Sequence, residues 1–289
     1  MKQYLPSNSP FKIVYVDITH KCQMSCANCY LPNRDIPDMD LVKLYTCLEQ
    51  LPKKTDIRLV GGEPTLRKDL PEIISEIIRI GHRPILITNG LKLSDKKYVN
   101  DLVSAGLNYA QISFNGYKYD EIYEKIDSMR CAVTKVKAVE NCISEGLQFS
   151  LSCILVRDIN THLVDELIDF SQALPKPSRL NFRNIGAIGR NMSKIHQPLS
   201  FDEIIDLVAK KTQFSAEEIK SFKVADNQIR IPIIKNQRRS QQVILKITDW
   251  TVFQAEKMND PKALVRGRIT QDFNLAAHFE HVKANEFGY

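Results

Sequence analysis

Short apolar runs alternate with amphipathic stretches along the first two-thirds of the chain. The apolar runs predict six strands, at Ile13–Ile18, Asp56–Val60, Pro84–Thr88, Tyr109–Phe114, Phe149–Val156 and Leu180–Ile185. Between them, apolar residues recur every three to four positions and predict helices at Asp38–Leu51, Leu70–Ile80, Asp95–Ala105, Val133–Glu145 and Leu163–Leu174. Because parallel strands need crossover connections, this alternation predicts a parallel sheet with helices packed on it.

Six strand–helix units are fewer than the eight of a complete barrel. We therefore expect the α/β class and an open, partial (β/α)6 barrel. In such sheets ligands bind at the carboxyl ends of the strands. A cysteine-rich loop follows the first strand, Gly61-Gly62-Glu63-Pro64 follows the second, and Thr88-Asn89-Gly90 ends the third. The pattern predicts that these segments share one mouth.

The pattern changes beyond Asn191. Two helices are predicted at Phe201–Lys211 and Ala216–Phe222, and two strands at Gln228–Ile234 and Gln242–Ile247. No Pro- or Gly-rich linker precedes them, so we expect this part to pack on the barrel. The predicted organisation is an N-terminal segment at 1–10, a barrel core at 11–192, and an α+β extension at 193–289 that closes the barrel and shapes the substrate site.

Composition narrows the class of protein. The 289 residues are 43% hydrophobic and 26% charged, with a formal net charge of +6. That charge is compatible with an anionic substrate but too small to imply one, and nucleic-acid binding is not supported. No apolar run is long enough to span a bilayer, and the first ten residues are polar. An odd count of 7 cysteines argues against a disulfide framework. We expect a cytoplasmic protein without a membrane partner.

Cys22, Cys26 and Cys29 carry the most specific chemistry. Three thiolates at this spacing can hold a 4Fe–4S cluster and leave one iron open to a further ligand. A zinc site with His20 as its fourth ligand is an alternative that the spacing leaves open. Gly61 and Gly62 remove side chains at a strand end, where a ligand can then touch the backbone, and Glu63 adds a carboxylate suited to an ammonium group.

These two motifs in this order resemble the radical S-adenosylmethionine (SAM) superfamily, over roughly Phe11 to Met192. Thr88-Asn89-Gly90 and Gln111-Ile112-Ser113-Phe114-Asn115 resemble the family too, and the branch with the molybdopterin-precursor cyclase is the most similar. The resemblance implies that the cysteines hold one 4Fe–4S cluster whose open iron binds the methionine part of SAM. An external donor such as flavodoxin or ferredoxin would supply the electron that splits SAM into methionine and a 5′-deoxyadenosyl radical.

The resemblance also implies roles for single residues. Gly61, Gly62 and Glu63 would contact the methionine part of SAM, and Ser113 its ribose or carboxylate. Further SAM contacts are expected from Ser152, Arg190, and the pair Asn28 and Tyr30, which flank Cys29 where the family often has an aromatic residue before the third cysteine. Asn89 is expected to hold the turn backbone at its strand end. No catalytic acid or base is identified.

The substrate is less constrained than the cofactors. The absence of cysteines beyond Cys153 predicts a single cluster, and the few residues before the first strand disfavour a peptide-binding module. The leading hypothesis is a small organic or nucleotide-like substrate. Modification of a peptide or protein is one alternative, and a non-catalytic iron–sulfur or zinc protein is another.

The stretch Lys223–Lys246 carries an excess of basic residues, including Arg230. It is open to two interpretations, a phosphate-recognising face or a solvated hairpin edge.

His278 and His281 are expected on one polar helix face.

Overall fold

The computed structural model describes residues 2–31, 34–175, 179–186, 197–225, 227–234, 242–249 and 266–278. Its strands are β1 (Gln3–Tyr4), β2 (Ile13–Thr19), β3 (Asp56–Gly61), β4 (Arg83–Thr88), β5 (Tyr109–Ser113), β6 (Gln148–Leu155), β7 (Arg179–Asn184), β8 (Lys223–Ala225), β9 (Gln228–Ile234), β10 (Gln242–Thr248), β11 (Arg266–Ile269) and β12 (Leu275–Ala277). Its helices are α1 (Leu41–Gln50), α2 (Leu70–Ile80), α3 (Lys96–Ser104), α4 (Asp120–Asp127), α5 (Ala132–Ser144), α6 (Val164–Ala173), α7 (Phe201–Lys211) and α8 (Ala216–Ser221).

All of these strands belong to one sheet, in the order β1-β12-β11-β2-β3-β4-β5-β6-β7-β10-β9-β8. The six predicted strands β2 to β7 lie side by side and parallel, which confirms the α/β partial barrel. The C-terminal part adds a parallel strand at each side, because β11 pairs with β2 and β10 pairs with β7. Across the barrel, the Arg266 guanidinium of β11 lies 3.5 Å from the side-chain amide of Gln228 on β9. The two ends of the sheet therefore curve toward each other.

The two faces of the sheet differ in chemistry. On β2, Val14, Val16 and Ile18 point outward into the hydrophobic core, while Tyr15 and Asp17 point into the barrel. The outer face packs against helices such as α2, which buries Leu70, Ile73, Ile74, Ile77 and Ile80. Burial of such apolar side chains contributes roughly 1.5–3 kcal/mol each. The helices thus stabilise the barrel from outside and leave its inner face to polar residues.

The predicted strands β2 to β7, β9 and β10 and helices α1 to α3 and α5 to α8 are all present, with bounds shifted by a few residues at most. Five elements were not predicted, namely β1, α4, β8, β11 and β12. Helix α4 has no side-chain hydrogen bond at its N-cap, Tyr119, and so lacks the usual start signal. His278 was expected on a helix, but it lies directly after β12, buried against Tyr15, and His281 falls outside the described residues.

Among the helices of the described segments, none has both the length and the apolar character that a bilayer crossing requires.

Candidate active site

A cavity of about 1400 Å³, counted out to its open mouth, lies at the carboxyl ends of the parallel strands. Its lining includes nine of the eleven residues expected from sequence: Cys22, Cys26, Asn28, Cys29, Tyr30, Gly61, Gly62, Glu63 and Ser113. Ser152 does not line it, because its hydroxyl is buried and accepts a hydrogen bond from Asn181 Nδ2 at 3.2 Å. Arg190 lies outside the described residues. Below, the term cysteine mouth denotes Cys22, Cys26 and Cys29 together with Gly61–Glu63.

The three thiols at the mouth are partly exposed and are not joined in disulfides. Burial raises the pKa of the Cys22 and Cys26 thiols, so a bound metal centre would have to supply the charge that stabilises their thiolates. Two donors already reach the sulfurs: Met24 N lies 3.4 Å from Cys22 Sγ, and Arg34 Nη2 lies 3.0 Å from Cys29 Sγ. Arg34 was not predicted from sequence.

No group of three His, Cys, Asp or Glu side chains in the described segments is arranged around a single metal ion. His20, the candidate fourth zinc ligand, is fully buried and is not part of the cavity lining. The three cysteines instead face one wide cavity that also borders Gly61–Glu63. Three thiolates with space beside them fit the donor set of a 4Fe–4S cluster with an open iron.

Gly61 and Gly62 allow β3 to approach the backbone of the cysteine loop. A Cβ on Gly61 would lie 2.1 Å from Thr19 O, and one on Gly62 would lie 2.3 Å from Lys21 O. The amide of Gly62 donates to Thr19 O and that of Glu63 to Lys21 O, both at 2.8 Å. The glycines therefore serve close packing of two backbones, whereas the sequence argument gave them only a role toward a ligand. The Gly62 carbonyl accepts no hydrogen bond within the described segments.

The Glu63 carboxylate is buried and already accepts four hydrogen bonds. Its Oε1 accepts from Thr65 N at 3.0 Å, Thr65 Oγ1 at 2.7 Å and Thr88 Oγ1 at 2.7 Å. Its Oε2 accepts from Asn89 N alone, at 2.7 Å. Glu63 thus ties the end of β3 to the end of β4 and retains acceptor capacity on Oε2. Asn89 accepts from Leu91 N at 3.0 Å, which confirms its predicted turn role.

Tyr30 is held in place by a buried ion pair. Its hydroxyl donates to Asp17 Oδ1 at 2.8 Å and lies 3.3 Å from Gly61 O, while Arg268 binds Asp17 Oδ2 through Nε at 2.7 Å. Burial alone would raise the pKa of Asp17, but the Arg268 charge and these hydrogen bonds outweigh it and hold the pKa below its usual value. The pair joins β2 to β11 beneath the cysteine mouth.

A second buried group supports the mouth from α4 and α5. Lys135 is fully buried, and its ammonium donates to Ser113 O at 2.8 Å and to Asn89 O. Asp127 accepts from Asn115 Nδ2 at 3.0 Å, and burial raises its pKa against the opposing effects of Lys135 and Asn115. The strand ends that carry Ser113 and Asn89 are therefore fixed from below.

Several of these supporting residues escape a reading of local sequence. Asp17 and Arg268 are 251 positions apart, and Arg268 lies in a stretch where no strand was predicted. A signal for it exists in Arg266-Gly267-Arg268, whose two arginines are two positions apart and so share one face of a strand. Lys135 and Asp127 carry no such signal.

Comparisons with known proteins agree on the family. A model described as the Radical SAM superfamily matches residues 16–171, which is more than half of the chain. Fe-coproporphyrin III synthase of Methanosarcina barkeri is 27% identical over 210 residues, covering 70% of this chain and 51% of that protein. GTP 3′,8-cyclase of Helicobacter pylori is 28% identical over 221 residues, covering 73% of this chain and 67% of that protein. The chain thus spans about half the length of the first relative.

Solved structures show the same fold. Streptococcus suis SuiB bound to the precursor peptide SuiA superposes with a TM-score of 0.68 at 13% sequence identity, over 96% of this chain and 61% of SuiB. SuiB bound to S-adenosylmethionine gives a TM-score of 0.68 at 12% identity. At these identities the likeness concerns architecture.

Proposed function

Because this chain belongs to the radical SAM superfamily, we propose that it is an enzyme that cleaves SAM reductively and uses the resulting radical on a small organic or nucleotide-like substrate. The family implies a 4Fe–4S cluster and SAM as cofactors. The observation that carries the proposal is the meeting of the three thiols and Gly61–Glu63 at one mouth. A non-catalytic zinc or iron–sulfur protein would not need the second motif.

Cys22, Cys26 and Cys29 would hold the cluster through three thiolates, in the cavity that Gly61–Glu63 also line. The cluster supplies one electron that divides SAM into methionine and a 5′-deoxyadenosyl radical. The Gly62 carbonyl and Glu63 Oε2 have the acceptor capacity to bind the ammonium group of SAM. Ser113, Asn28 and Tyr30 line the same cavity and are proposed as further SAM contacts.

Other parts of the proposal concern further SAM contacts, the electron donor, the site of action and the C-terminal extension. Ser152 and Arg190 are proposed as SAM contacts on resemblance alone; the buried Ser152 hydroxyl accepts from Asn181 and keeps its own O–H to donate. We further propose one cluster in the protein, a flavodoxin or ferredoxin as electron donor, and a cytoplasmic site of action, where low potential protects the cluster. The extension at 193–289 is proposed to form part of the substrate site, since β10 and β11 belong to the barrel sheet.

The relatives guide the choice of substrate class. Those named Fe-coproporphyrin III synthase and GTP 3′,8-cyclase act on small molecules and align over most of this chain. A peptide substrate is the second candidate, because the SuiB structure holds a precursor peptide, although the likeness to SuiB concerns the fold alone.

The test is SAM cleavage by protein purified without oxygen. With dithionite and SAM, the brown protein should release 5′-deoxyadenosine and methionine in equal amounts, measured by liquid chromatography. The Cys26→Ala variant should lose iron and cleavage together. Cys142→Ala is the matched control, because Cys142 is buried on α5 and does not line the cavity. Colourless, zinc-loaded protein that leaves SAM intact would refute the proposal.

A further inference from the structure

Four strands each carry one basic side chain on the inner face of the barrel. These side chains are Arg58 on β3, Arg183 on β7, Lys246 on β10 and Arg266 on β11, and we refer to them as the cationic floor. Arg183 and Arg266 line the cavity that the cysteine mouth opens into. Lys246 lies in register with Asn181 of β7, two positions before Arg183, and Arg58 lies in register with Tyr15 of β2, which also pairs with Arg268 of β11. Because side chains two positions apart share a face of a strand, the four side chains lie on the same inner face although they are distant in sequence.

Three members of the floor, Arg58, Lys246 and Arg266, carry positive charge that no carboxylate of the described segments balances through an ion pair. Arg58 donates to the Tyr15 hydroxyl at 2.6 Å, but its buried Nε has no acceptor among the residues that the structure describes. The Arg266 guanidinium lies 3.5 Å from the side-chain amide of Gln228. The guanidinium groups of Arg58 and Arg266 therefore retain N–H donors that can bind an anion.

The electrostatic consequence appears at Lys246 and Arg183. Burial, followed by the charges of Arg266 and Arg58, lowers the pKa of Lys246 to about 7. Burial also lowers the pKa of Arg183 to about 10, against the opposing effects of Tyr15, Cys153 and Asp127, so the effect of like charges is confined to Lys246. Like charges that are gathered and desolvated destabilise the protein that holds them. Titratable groups perturbed in this way are concentrated at functional sites, where a ligand supplies the missing charge.

We propose that the cationic floor binds the anionic groups of the substrate, and that this substrate is a small molecule with two or more phosphate or carboxylate groups. The inference rests on the proposed function, because it assigns the part of the cavity away from the SAM-binding motif to the substrate. Arginine binds both kinds of oxyanion through paired N–H donors. Several cations call for several negative charges, and the enclosed position inside a barrel suits a small molecule.

The two interpretations of the basic stretch Lys223–Lys246, a phosphate-recognising face and a solvated hairpin edge, apply to different parts of it. Lys246 pairs with Arg230 across the β9–β10 ladder and with Asn181 on β7, so it belongs to the barrel. Lys223, by contrast, lies on β8, whose three residues are all exposed. The phosphate-recognising interpretation is therefore assigned to Lys246, and the solvated edge to Lys223.

The test is calorimetric titration of the full-length protein with tripolyphosphate and with tricarballylate, and with acetate as a monoanion at equal ionic strength. At least one polyanion should bind more than tenfold more tightly than acetate. A preference for tripolyphosphate identifies a phosphorylated substrate, and one for tricarballylate a polycarboxylate. Arg266→Gln and Lys246→Met should each weaken binding about tenfold or more, the effect of one charged hydrogen bond.

Lys137→Met is the matched control, because it removes one positive charge from an exposed pair with Glu140 on α5. It should leave the affinity unchanged. Equal loss in all three variants would show general charge attraction and would overturn the proposal. So would the absence of polyanion binding, or competition between tripolyphosphate and SAM, which would assign the floor to the carboxylate of SAM.

Proton uptake gives an independent readout. An anion next to Lys246 should raise its pKa, so binding at pH 7.5 should take up protons, measured by titration in HEPES and in Tris. The charged groups that act on Lys246 are Arg266, Arg58, Arg230 and Arg183, from β11, β3, β9 and β7. Lys246→Met should abolish the uptake, and uptake that persists would contradict the assignment.

The two proposals can fail separately. Titration with polyanions needs neither SAM nor a reductant, whereas release of 5′-deoxyadenosine needs no polyanion. Polyanion binding without SAM cleavage would leave the floor assigned and refute the proposed function. SAM cleavage without polyanion binding would do the reverse.

Discussion

The cysteine mouth and the cationic floor border the same cavity but balance their charges in opposite ways. At the mouth, Glu63 accepts four hydrogen bonds from its neighbours, and beneath it Asp17 is paired with Arg268. On the floor, Lys246 and Arg266 have no carboxylate in the described segments. The mouth is therefore organised before any ligand arrives, as a site that positions a cofactor must be. The floor is left for a ligand to complete.

Removal of a cation beneath the mouth should give the largest effect on stability. Arg268→Met would leave the Asp17 carboxylate buried and unpaired, and loss of one partner of such a pair costs about 3–5 kcal/mol of the free energy of unfolding. Urea denaturation at pH 7 measures it. Because the folded protein holds the pKa of Asp17 low, the pair stabilises the protein above the ordinary carboxyl pKa. This contribution is lost as the pH falls through the lowered pKa of Asp17.

The double variant Asp17→Asn/Arg268→Met is the control for this prediction. It removes the unpaired charge and keeps an acceptor for the Tyr30 hydroxyl, so it should recover much of the lost stability. A single variant as stable as the wild type would mean that the pair does not balance its own charges, and the contrast with the floor would disappear.

The close backbone contact at the mouth should be the next most sensitive feature. Gly62→Ala places a Cβ 2.3 Å from Lys21 O and 2.4 Å from His20 O, so the cysteine loop has to move. Overpacking of this kind costs about 1–3 kcal/mol, and the displaced loop should weaken SAM binding, measured by equilibrium dialysis.

Gly146→Ala is the matched control for that substitution. Gly146 has φ +76° and nothing within 4 Å of its added Cβ, so alanine there incurs backbone strain of about 1 kcal/mol without a clash. It should lower stability slightly and leave SAM binding intact. Equal SAM affinity in both variants would show that the glycine contact does not position the loop.

Removal of a cation from the cationic floor should stabilise the protein, whereas removal of Arg268 beneath the mouth should destabilise it. Lys246→Met removes the cost of a buried charge, and with it the repulsion from Arg266 and Arg58, and should raise the melting temperature of the ligand-free protein at pH 7. Since the pKa of Lys246 is about 7 in the folded protein and about 10.4 in the unfolded chain, this destabilisation acts fully below pH 7. The advantage of the variant should therefore decline as the pH rises and vanish near pH 10.

With tripolyphosphate present, the wild type should melt at a higher temperature than Lys246→Met, because it gains more stability from a bound polyanion than the variant does. A variant that melts below the wild type at pH 7 without ligand would show that the charge of Lys246 is already balanced.

The sequence predicted the layout of the mouth but not the balance of charges. Strands β2 to β7 follow from local alternation, and the cysteines and Gly61–Glu63 fall at their ends, so local pattern and topology suffice. Arg268 and Lys246 acquire their meaning from partners on distant strands, and local patterns do not encode such pairings. Strand β11 was missed because its short sequence, Arg-Gly-Arg-Ile, contains a single large apolar residue, Ile269.

The smallest expected effect concerns a charge that touches the mouth itself. Arg34 donates to Cys29 Sγ at 3.0 Å, and a positive donor beside a cluster sulfur stabilises the added electron. Arg34→Gln should therefore lower the reduction potential of the bound cluster, and Arg34→Lys, which keeps the charge, should lower it less. A redox titration followed by electron paramagnetic resonance measures both. Arg130→Gln, at an exposed pair with Glu124, is the control. If Arg34→Gln and this control give the same reduction potential, the charge of Arg34 does not act on the cluster. Arg34 would then only shape the loop, and the mouth would be organised by backbone contacts and the Asp17–Arg268 pair.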